Sequence, residues 1–353
     1  MIKGDIKAEI VLDDEEAPRR LALYEDNQLV EYFEAQKASE LHIGAIIAAR
    51  ITRIFPSQRR AECQLPKGMI ASFRLGAKPY PKAGDIRLIT LTAEPRQHKP
   101  WQAEQGISRA GRSIVLHHGQ DGLRVSHKAK SGKIELAEDI ATSLKDMLPK
   151  GWGAVIRRHV IDGDHSFDDI TTLITTEMNA LLAPIDEALL ASMSTPIEPI
   201  TLYQGDDMML AGRLAANASP QIRIETDKLF WEEIADEIDK AYSRQVTLDN
   251  GVILTIEKTQ ALTAIDIDSG MSQLGPIEIA RQTAKPIMRL IRLARLSGVV
   301  LVDMPRLPYA DQEAVLAELR LEARRDRRRP DILGFSRAGL IEIVIRHHYA
   351  PVR

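Results

Sequence analysis

Three aspartates in the last third of the sequence have the spacing of a carboxylate site. Asp266 and Asp268 lie two residues apart in the run TAIDIDSG, which alternates like a half-buried strand. Asp303 ends the apolar run VVLVD, which predicts a second strand, covered on both faces. Side chains two apart on a strand share a face, and functional groups in mixed sheets collect at the carboxyl ends of strands. If the two strands are neighbours, we expect all three carboxylates to converge.

Converging carboxylates indicate a divalent cation, because like charges a few ångströms apart repel strongly unless a cation lies between them. Oxygen-only ligands suit Mg²⁺, with Mn²⁺ as the alternative, and Mg²⁺ keeps positions open for water and for phosphate oxygens. The pattern therefore predicts a metal site with positions left for water and for substrate phosphate oxygens. The competing interpretation is that each aspartate caps a turn or a helix.

Arginines recur at helical spacing close to this region. Residues 280–353 contain 15 Lys plus Arg against 8 Asp plus Glu, although the net charge of the whole chain is −3. Such stripes suit phosphate backbones, and the alternative is a solvated helix face with local ion pairs to Glu318, Glu322 and Asp326. The two stripes consist of Arg320, Arg324 and Arg327 or Arg328, ending in Arg329, and of Arg289, Arg292 and Arg295.

Composition excludes several other classes of protein. The 353 residues, 44% hydrophobic and 27% charged, predict two or three globular modules. The single cysteine, Cys63, excludes an internal disulfide framework and a CxxC-type zinc site. We find no apolar run of about eighteen residues that could span a membrane and no apolar core of a secretory signal, so a cytoplasmic protein is expected.

The elements that must position these residues follow from local patterns. RRLALYEDNQLVEYF predicts two strands around a turn at 25–27, and the short strands between HIGAIIAAR and RSIVLHHGQDG suit a small barrel such as an OB-fold. Helical spacing begins near Ser131 and includes a helix interrupted at Pro184. Nearer the C-terminus we predict a helix over KPIMRLIRLARLSG that Gly298 ends and a helix over DQEAVLAELRLEARRDRRR that Pro330 stops.

Three blocks of this sequence together resemble the catalytic core of the ribonuclease E/G family. They are TQALTAIDIDSG, RLIRLARLSGVVLVDM and LRLEARRDRRRPDILGFSRAGLIEI, and upstream blocks such as IGAIIAARITRIFPS and GWGAVIRR resemble the OB-type domain and the 5′-end sensor. The resemblance implies a multidomain α+β fold, in which an RNase H-like domain is split by an inserted OB-fold barrel and 5′-sensor region and followed by a deoxyribonuclease-I-like α/β catalytic domain. The implied bounds are 1–42 and 197–243 for the RNase H-like domain, 43–125 for the barrel, 126–196 for the sensor-like region and 244–353 for the catalytic domain.

The resemblance also implies chemistry. It implies a metal-dependent endoribonuclease that hydrolyses single-stranded RNA to 5′-phosphate and 3′-hydroxyl ends in RNA processing or decay, with ribosomal RNA precursor as one candidate substrate. The family's two magnesium ligands fall on Asp266 and Asp303, its asparagine two residues after the first of them falls on Asp268, and its arginine after the catalytic helix falls on Arg329. We expect RNA contacts from the sensor arginine and from the stripe, namely Arg157, Arg320, Arg324, Arg327 and Arg328. Because the family's zinc-binding cysteine pair is not in this sequence, we expect no structural zinc and a monomer or a dimer without a zinc link.

Departures from the family pattern support a second hypothesis, an RNA-binding or ribosome-associated protein with weak or no catalysis. Pro305-Arg306-Leu307 stands where the family has a second acidic residue, and Arg158 replaces the threonine of the sensor. The barrel's stacking aromatics are replaced near Glu62 and Met69. A third hypothesis is a metal-dependent phosphoesterase that acts on DNA, which contacts to a 2′-hydroxyl would distinguish from a ribonuclease.

Overall fold

The chain folds into two compact units, and the second is inserted into the sequence of the first. The first unit comprises Met1–Ala38 and Ala211–Arg353, and the second comprises Ser39–Leu210. The computed structural model describes residues 7–13, 19–34, 41–96, 99–119, 121–126, 134–157, 160–161, 166–185, 198–206, 208–217 and 220–349. No helix in these ranges is long and apolar enough to cross a membrane.

The described residues form twenty strands and six α-helices. The strands are β1 (Ala8–Asp13), β2 (Arg20–Glu25), β3 (Gln28–Glu34), β4 (Ile46–Phe55), β5 (Arg60–Gln64), β6 (Ile70–Arg74), β7 (Ile86–Ala93), β8 (Trp101–Gln105), β9 (Ser108–Ala110), β10 (Ile114–His118), β11 (Gly122–Val125), β12 (Trp152–Ile156), β13 (Ile200–Tyr203), β14 (Gln221–Ile224), β15 (Gln245–Thr247), β16 (Ile253–Lys258), β17 (Leu262–Asp268), β18 (Gly298–Asp303), β19 (Asp331–Phe335) and β20 (Ile341–Ile345). The helices are α1 (Ile134–Leu144), α2 (Phe167–Leu182), α3 (Met208–Ala215), α4 (Lys228–Tyr242), α5 (Pro276–Leu293) and α6 (Tyr309–Ala323). Short 3₁₀ turns occupy Pro56–Gln58, Pro66–Gly68 and Lys145–Met147.

A closed five-stranded barrel forms the first half of the inserted unit. Its strand order is β4-β5-β6-β8-β7, and pairing between β4 and β7 closes it. Apolar side chains such as Ile47, Ile51, Phe73 and Ile89 fill its core. The alternating, turn-punctuated sequence predicted this barrel because each strand presents every second side chain to the interior.

The strands after the barrel pair differently from the prediction. The sequence pattern assigned the RSIVLHHGQDG strands to the barrel, whereas β9, β10 and β11 form a separate sheet with β12, in the order β11-β12-β10-β9. This pairing joins strands that are distant in the sequence, so local patterns did not indicate it. Leu116 on β10 and Ala154 on β12 are register partners, and both are buried. The spacing of apolar residues predicted helix α2, and Ser166 caps its start. The predicted continuation of this helix beyond residue 185 lies outside the described residues.

The first unit contains two sheets that share one apolar core. The strand orders are β14-β1-β2-β3 and β15-β16-β17-β18-β20-β19. The predicted turn between β2 and β3 is confirmed, and both Asp26 and Asn27 adopt positive φ. Helices α4, α5 and α6 contribute Trp231, Ile287 and Leu319 to the core that covers one face of the six-stranded sheet. The other face of this sheet carries the candidate site.

Three predicted elements in this unit were wrong in their details. Helix α6 ends at Ala323, before the last arginines, because the Asp326 side chain accepts the backbone N–H of Arg328 in a turn of its own. Gly298 begins β18 and does not cap α5, which ends at Leu293. Strand β18 is covered on one face only, and its Val299 side is exposed.

Candidate active site

A row of polar side chains crosses four neighbouring strands on the exposed face of the six-stranded sheet. Gln245 is the register partner of Thr255, Thr255 of Asp266, and Asp266 of Asp303. Strands β17 and β18 are parallel, so both aspartates lie toward the carboxyl ends of their strands. Since neighbouring strands are separated by about 4.8 Å, the two carboxylates are direct neighbours. The condition on which the predicted site depended, that the two strands are neighbours, is therefore met.

The alternation of side chains along both strands keeps these carboxylates in solvent. Asp266 and Asp303 are exposed, whereas Ile265 and Val302 beside them are buried against the helices. Neither carboxylate has a hydrogen bond or an ion pair with any part of the chain that the structure describes. Two unit charges about 5 Å apart repel each other by roughly 1–3 kcal/mol, depending on the effective dielectric constant. A cation between them would remove this repulsion.

Asp268 does not join this pair, so the expected convergence of three carboxylates was wrong. It lies two residues beyond Asp266, about 6.6 Å further along β17, past the last residue of β18. Its Oδ1 accepts the backbone N–H of Gly270 at 2.7 Å, which is the turn-capping role considered as the alternative. In the described ranges, no group of three or more His, Cys, Asp or Glu side chains is arranged to hold a metal ion. The candidate metal centre is therefore a pair of carboxylates.

The loops and helices that follow the two strands lie at the same edge of the sheet. The chain runs from β17 through the loop 269–275 into α5, returns as β18, and continues through the loop 304–308 into α6. Helix N-termini carry unpaired N–H groups and a partial positive charge, which favour anions. The carboxyl edge of β17 and β18 thus combines a carboxylate pair with two helix N-termini, as in other α/β active sites.

The predicted arginine cluster lies at the opposite end of the sheet. Asp331, at the start of β19, is in register with Val344, and Val344 with Val299, four residues before Asp303. This distance is about 13 Å along the strand, and Arg329 precedes Asp331 by two further residues. Arg320 lies eleven residues along α6 from the carboxyl edge, or roughly 17 Å. The structure therefore does not bring Arg329 or the stripe to the carboxylates.

Comparison with known proteins places this arrangement in a family. Residues 210–348 match the model of the Ribonuclease E/G family. Ribonuclease E of Escherichia coli K12 is 36% identical over 92% of this chain and 35% of its own length. The chain belongs to the ribonuclease E/G family.

Other relatives match a smaller share of the chain. The chloroplastic ribonuclease E/G-like protein of Arabidopsis thaliana is 33% identical over 31% of this chain and 12% of its own length. Ribonuclease G of Escherichia coli K12 is 29% identical over 31% of this chain and 24% of its own length. The chain thus spans about a third or less of the length of these ribonuclease E/G relatives, and the matched family region contains Asp266, Asp268 and Asp303.

Several arginines of this family member serve the fold. Arg328 has a side chain only 7% exposed, and it donates to the carbonyl oxygens of Leu296 and Ile291 and to Asp326. The second stripe does not form one exposed phosphate surface, because Arg292 is buried in an ion-pair network. Its two neighbours are engaged as well: Arg289 pairs with Glu237, and Arg295 stacks on Phe33 and Tyr349.

The remaining predicted arginines differ in exposure. Arg324 is exposed at the end of α6, and Arg320 is partly exposed and pairs with Glu313 at 2.6 Å. Arg327 donates to the hydroxyl of Tyr349 at 3.2 Å. Arg157, in the inserted unit, follows β12 and donates its backbone N–H to Ser113. Arg158 lies outside the described residues.

Two arginines at the carboxyl edge were missed as site residues by the sequence reasoning. Arg306 lies in the loop directly after Asp303, and Arg337 lies at the tip of the β19–β20 hairpin. The hairpin tip is level with the end of β18, because Phe335 pairs with Ile341 and Ile341 with Val302. Both side chains are exposed and have no ion pair with the described residues. In the sequence, the turn SRAG between two predicted strands indicates that Arg337 lies at a hairpin tip. Only the strand order shows that this tip lies at the carboxyl edge.

Proposed function

We propose that this chain is a metal-dependent endoribonuclease that hydrolyses single-stranded RNA and leaves 5′-phosphate and 3′-hydroxyl ends. The observation that carries the proposal is the in-register pairing of Asp266 and Asp303 on neighbouring parallel strands, exposed and with no cation from the described chain. Membership of the ribonuclease E/G family supports RNA as the substrate class.

The residues present fit a hard divalent cation. Mg²⁺ takes one or two carboxylates from a protein and leaves its other positions for water and phosphate oxygens. Asp266 and Asp303 would supply these two carboxylates, and Mn²⁺ would fit the same oxygen donors. When bound, the ion would acidify water and offset negative charge on the phosphate.

The chain's own residues would orient the reactants around this pair. The amide of Gln245 donates to the hydroxyl of Thr255 at 3.4 Å, and Thr255 is the register partner of Asp266, so this hydroxyl lies on the strand next to that carboxylate. Asp268, fixed by Gly270, would accept a proton from the attacking water. The water oxygen would bond to phosphorus while the bond from phosphorus to the 3′ oxygen breaks, and the 3′ oxygen would take up a proton from solvent, which leaves the proposed ends.

Arginines at the carboxyl edge would hold the substrate phosphates. Arg306 and Arg337 are exposed at this edge, and an arginine can donate two hydrogen bonds to one phosphate. We assign them the role that the sequence assigned to Arg329. Arg157, Arg320, Arg324 and Arg327 remain proposals for contacts with the RNA backbone.

The finer features of the family are proposals of the same kind. We propose that residues 1–42 and 197–243 are RNase H-like, that 43–125 contain the OB-fold barrel, that 126–196 are sensor-like and that 244–353 are deoxyribonuclease-I-like. Location in the cytoplasm, a role in the maturation of ribosomal RNA precursor, and a monomer or dimer without structural zinc are part of this proposal.

Cleavage of a single-stranded oligoribonucleotide in Mg²⁺ and in EDTA tests the assignment. We expect Asp303→Asn to lower the rate by at least about 100-fold, equivalent to about 2.7 kcal/mol. Asp331→Asn is the matched control, because Asp331 is exposed on the same sheet face at the opposite end. Equal rates for the Asp303 variant and the wild type would refute the site.

RNA binding with weak or no catalysis is the second candidate function. It is favoured by the separation of Arg329 from the carboxylates and by the engagement of Asp268 in its own turn. Binding of the oligoribonucleotide without product in Mg²⁺ or Mn²⁺ would select this function. Competition between matched RNA and DNA strands would reveal a DNA-directed phosphoesterase.

A further inference from the structure

The two most exposed large apolar side chains of the described residues both lie at the carboxyl edge. Tyr309 is 89% exposed and Met271 is 87% exposed, whereas the next, Leu229 on α4, is 67% exposed. Met271 lies in the loop that leaves β17, and Tyr309 begins the helix that follows the loop after β18. The most exposed apolar groups thus follow the two strands that carry the carboxylate pair.

We propose that Tyr309 and Met271 form a stacking surface for the nucleobases next to the cut. This inference rests on the proposed function. A single exposed apolar side chain is ordinary on a protein surface. Here two nearly complete exposures lie in the segments that follow two neighbouring strands, at the edge where Arg306 and Arg337 have no ion pair with the described residues. This combination indicates a surface that a ligand with both apolar faces and negative charge covers.

Single-stranded RNA has this combination of properties. Every base offers a flat π-face to an aromatic ring, and its phosphates suit the guanidinium groups. A methionine side chain adds an adaptable, polarisable contact with a ring. A folded protein partner would also cover these side chains, but the nearby carboxylate pair and cations favour the nucleic acid.

The local backbone keeps both side chains at the edge. Pro308 precedes Tyr309 and starts α6 in an extended conformation, with its carbonyl oxygen accepting the N–H of Asp311. The backbone N–H of Met271 donates to Gly251 at 3.2 Å, and Gly270 adopts a φ of +52°. Six residues separate Asp303 from Tyr309, which limits their Cα separation to roughly 22 Å. The stacked base would therefore lie within a few nucleotides of the scissile phosphate.

The test uses 2-aminopurine, a fluorescent base that is quenched on stacking, placed at successive positions around the cleavage site of a single-stranded oligoribonucleotide. Binding is measured with the full chain carrying Asp303→Asn, so that quenching does not depend on cleavage. We expect position-dependent quenching that Tyr309→Ala abolishes and Tyr309→Phe retains. In the otherwise wild-type chain, Tyr309→Ala should raise KM by roughly five- to 150-fold with a smaller change in kcat.

Leu229→Ala is the matched control, because it removes an exposed apolar side chain that lies on α4 and in neither of the segments that follow β17 and β18. Met271→Ala should show a smaller rise in KM than Tyr309→Ala. Unchanged quenching and KM in Tyr309→Ala would overturn the stacking surface while leaving the nuclease proposal intact. Tyr309-dependent quenching by a protein that never cleaves RNA would support the surface and refute the nuclease.

Discussion

The carboxylate pair of Asp266 and Asp303 and the ion-pair network around Arg292 lie in the same unit. They differ in whether their charges are buried and in whether they are neutralised by partners of opposite charge. The Arg292 side chain is 4% exposed, and it pairs with Glu25 at 3.1 Å and with Glu31 at 2.7 Å. Its third contact is the carbonyl oxygen of Ala215, and Asn217 donates to Glu25. The carboxylate pair is exposed and has no such partners in the described residues.

This difference separates structural charge from functional charge. Burial acts to lower the pKa of Arg292, but the carboxylates of Glu31, Glu25 and Asp326 outweigh it and raise the pKa, so the guanidinium stays charged. A buried charge with complete hydrogen bonding stabilises one arrangement of the chain. Two neighbouring exposed carboxylates repel each other instead, and their position is explained if they bind a cation.

The largest expected effect comes from breaking the buried network. Arg292→Met leaves Glu25 and Glu31 without their cation, and we expect the free energy of unfolding to fall by about 3–5 kcal/mol in urea denaturation. Arg320→Met, which breaks an exposed pair with Glu313, should cost about 0–1 kcal/mol. Similar losses in both variants would remove the distinction between the two regions.

A smaller effect tests the carboxylate pair without any activity measurement. A cation that binds only the folded chain stabilises it by about 1.4 kcal/mol at ten times its Kd. We expect Mg²⁺ to raise the free energy of unfolding of the wild type and of Asp331→Asn, relative to EDTA. The increase should be lost in Asp303→Asn, and an equal increase in that variant would place the cation elsewhere.

The sequence predicted those parts of the site that depend on neighbouring residues. Alternation along TAIDIDSG and the apolar run VVLVD predicted β17 and β18, and the placement of Asp266 and Asp303 at their carboxyl ends followed. The turn at Asp26-Asn27 and the barrel were predicted in the same way, because side-chain period and turn chemistry are local properties.

The position of the arginines could not be predicted because it depends on strand order. The family resemblance placed Arg329, which follows the helix after Asp303, among the catalytic residues. However, β20 lies between β18 and β19, and β19 begins at the far end of the sheet. The same order brings Arg337 to the carboxyl edge. The periodic arginine pattern also continued past Ala323, where the Asp326 turn ends the helix.

The smallest predicted effect concerns His348, a buried group that stays uncharged. Burial, then the cations Arg327 and Arg328, lower the pKa of His348 well below its ordinary value of 6.5, although Asp326 opposes them. Its Nε2 atom is buried without a hydrogen-bond partner in the described part of the chain. Histidine is therefore neutral in the folded chain at a pH where the unfolded chain binds a proton.

The sign of the pH dependence follows from this difference. The unfolded chain gains a proton at His348 as the pH falls through about 6.5, so the stabilisation that is complete at pH 8 declines by about 0.8 kcal/mol at pH 6. His348→Gln, which cannot titrate, should show a free energy of unfolding that falls less over this range by that amount. Parallel pH profiles for the variant and the wild type would mean that His348 takes up a proton in the folded chain as readily as in the unfolded chain. The folded chain would then hold a buried cation at His348, beside Arg327 and Arg328, just as its exposed edge holds two neighbouring carboxylates.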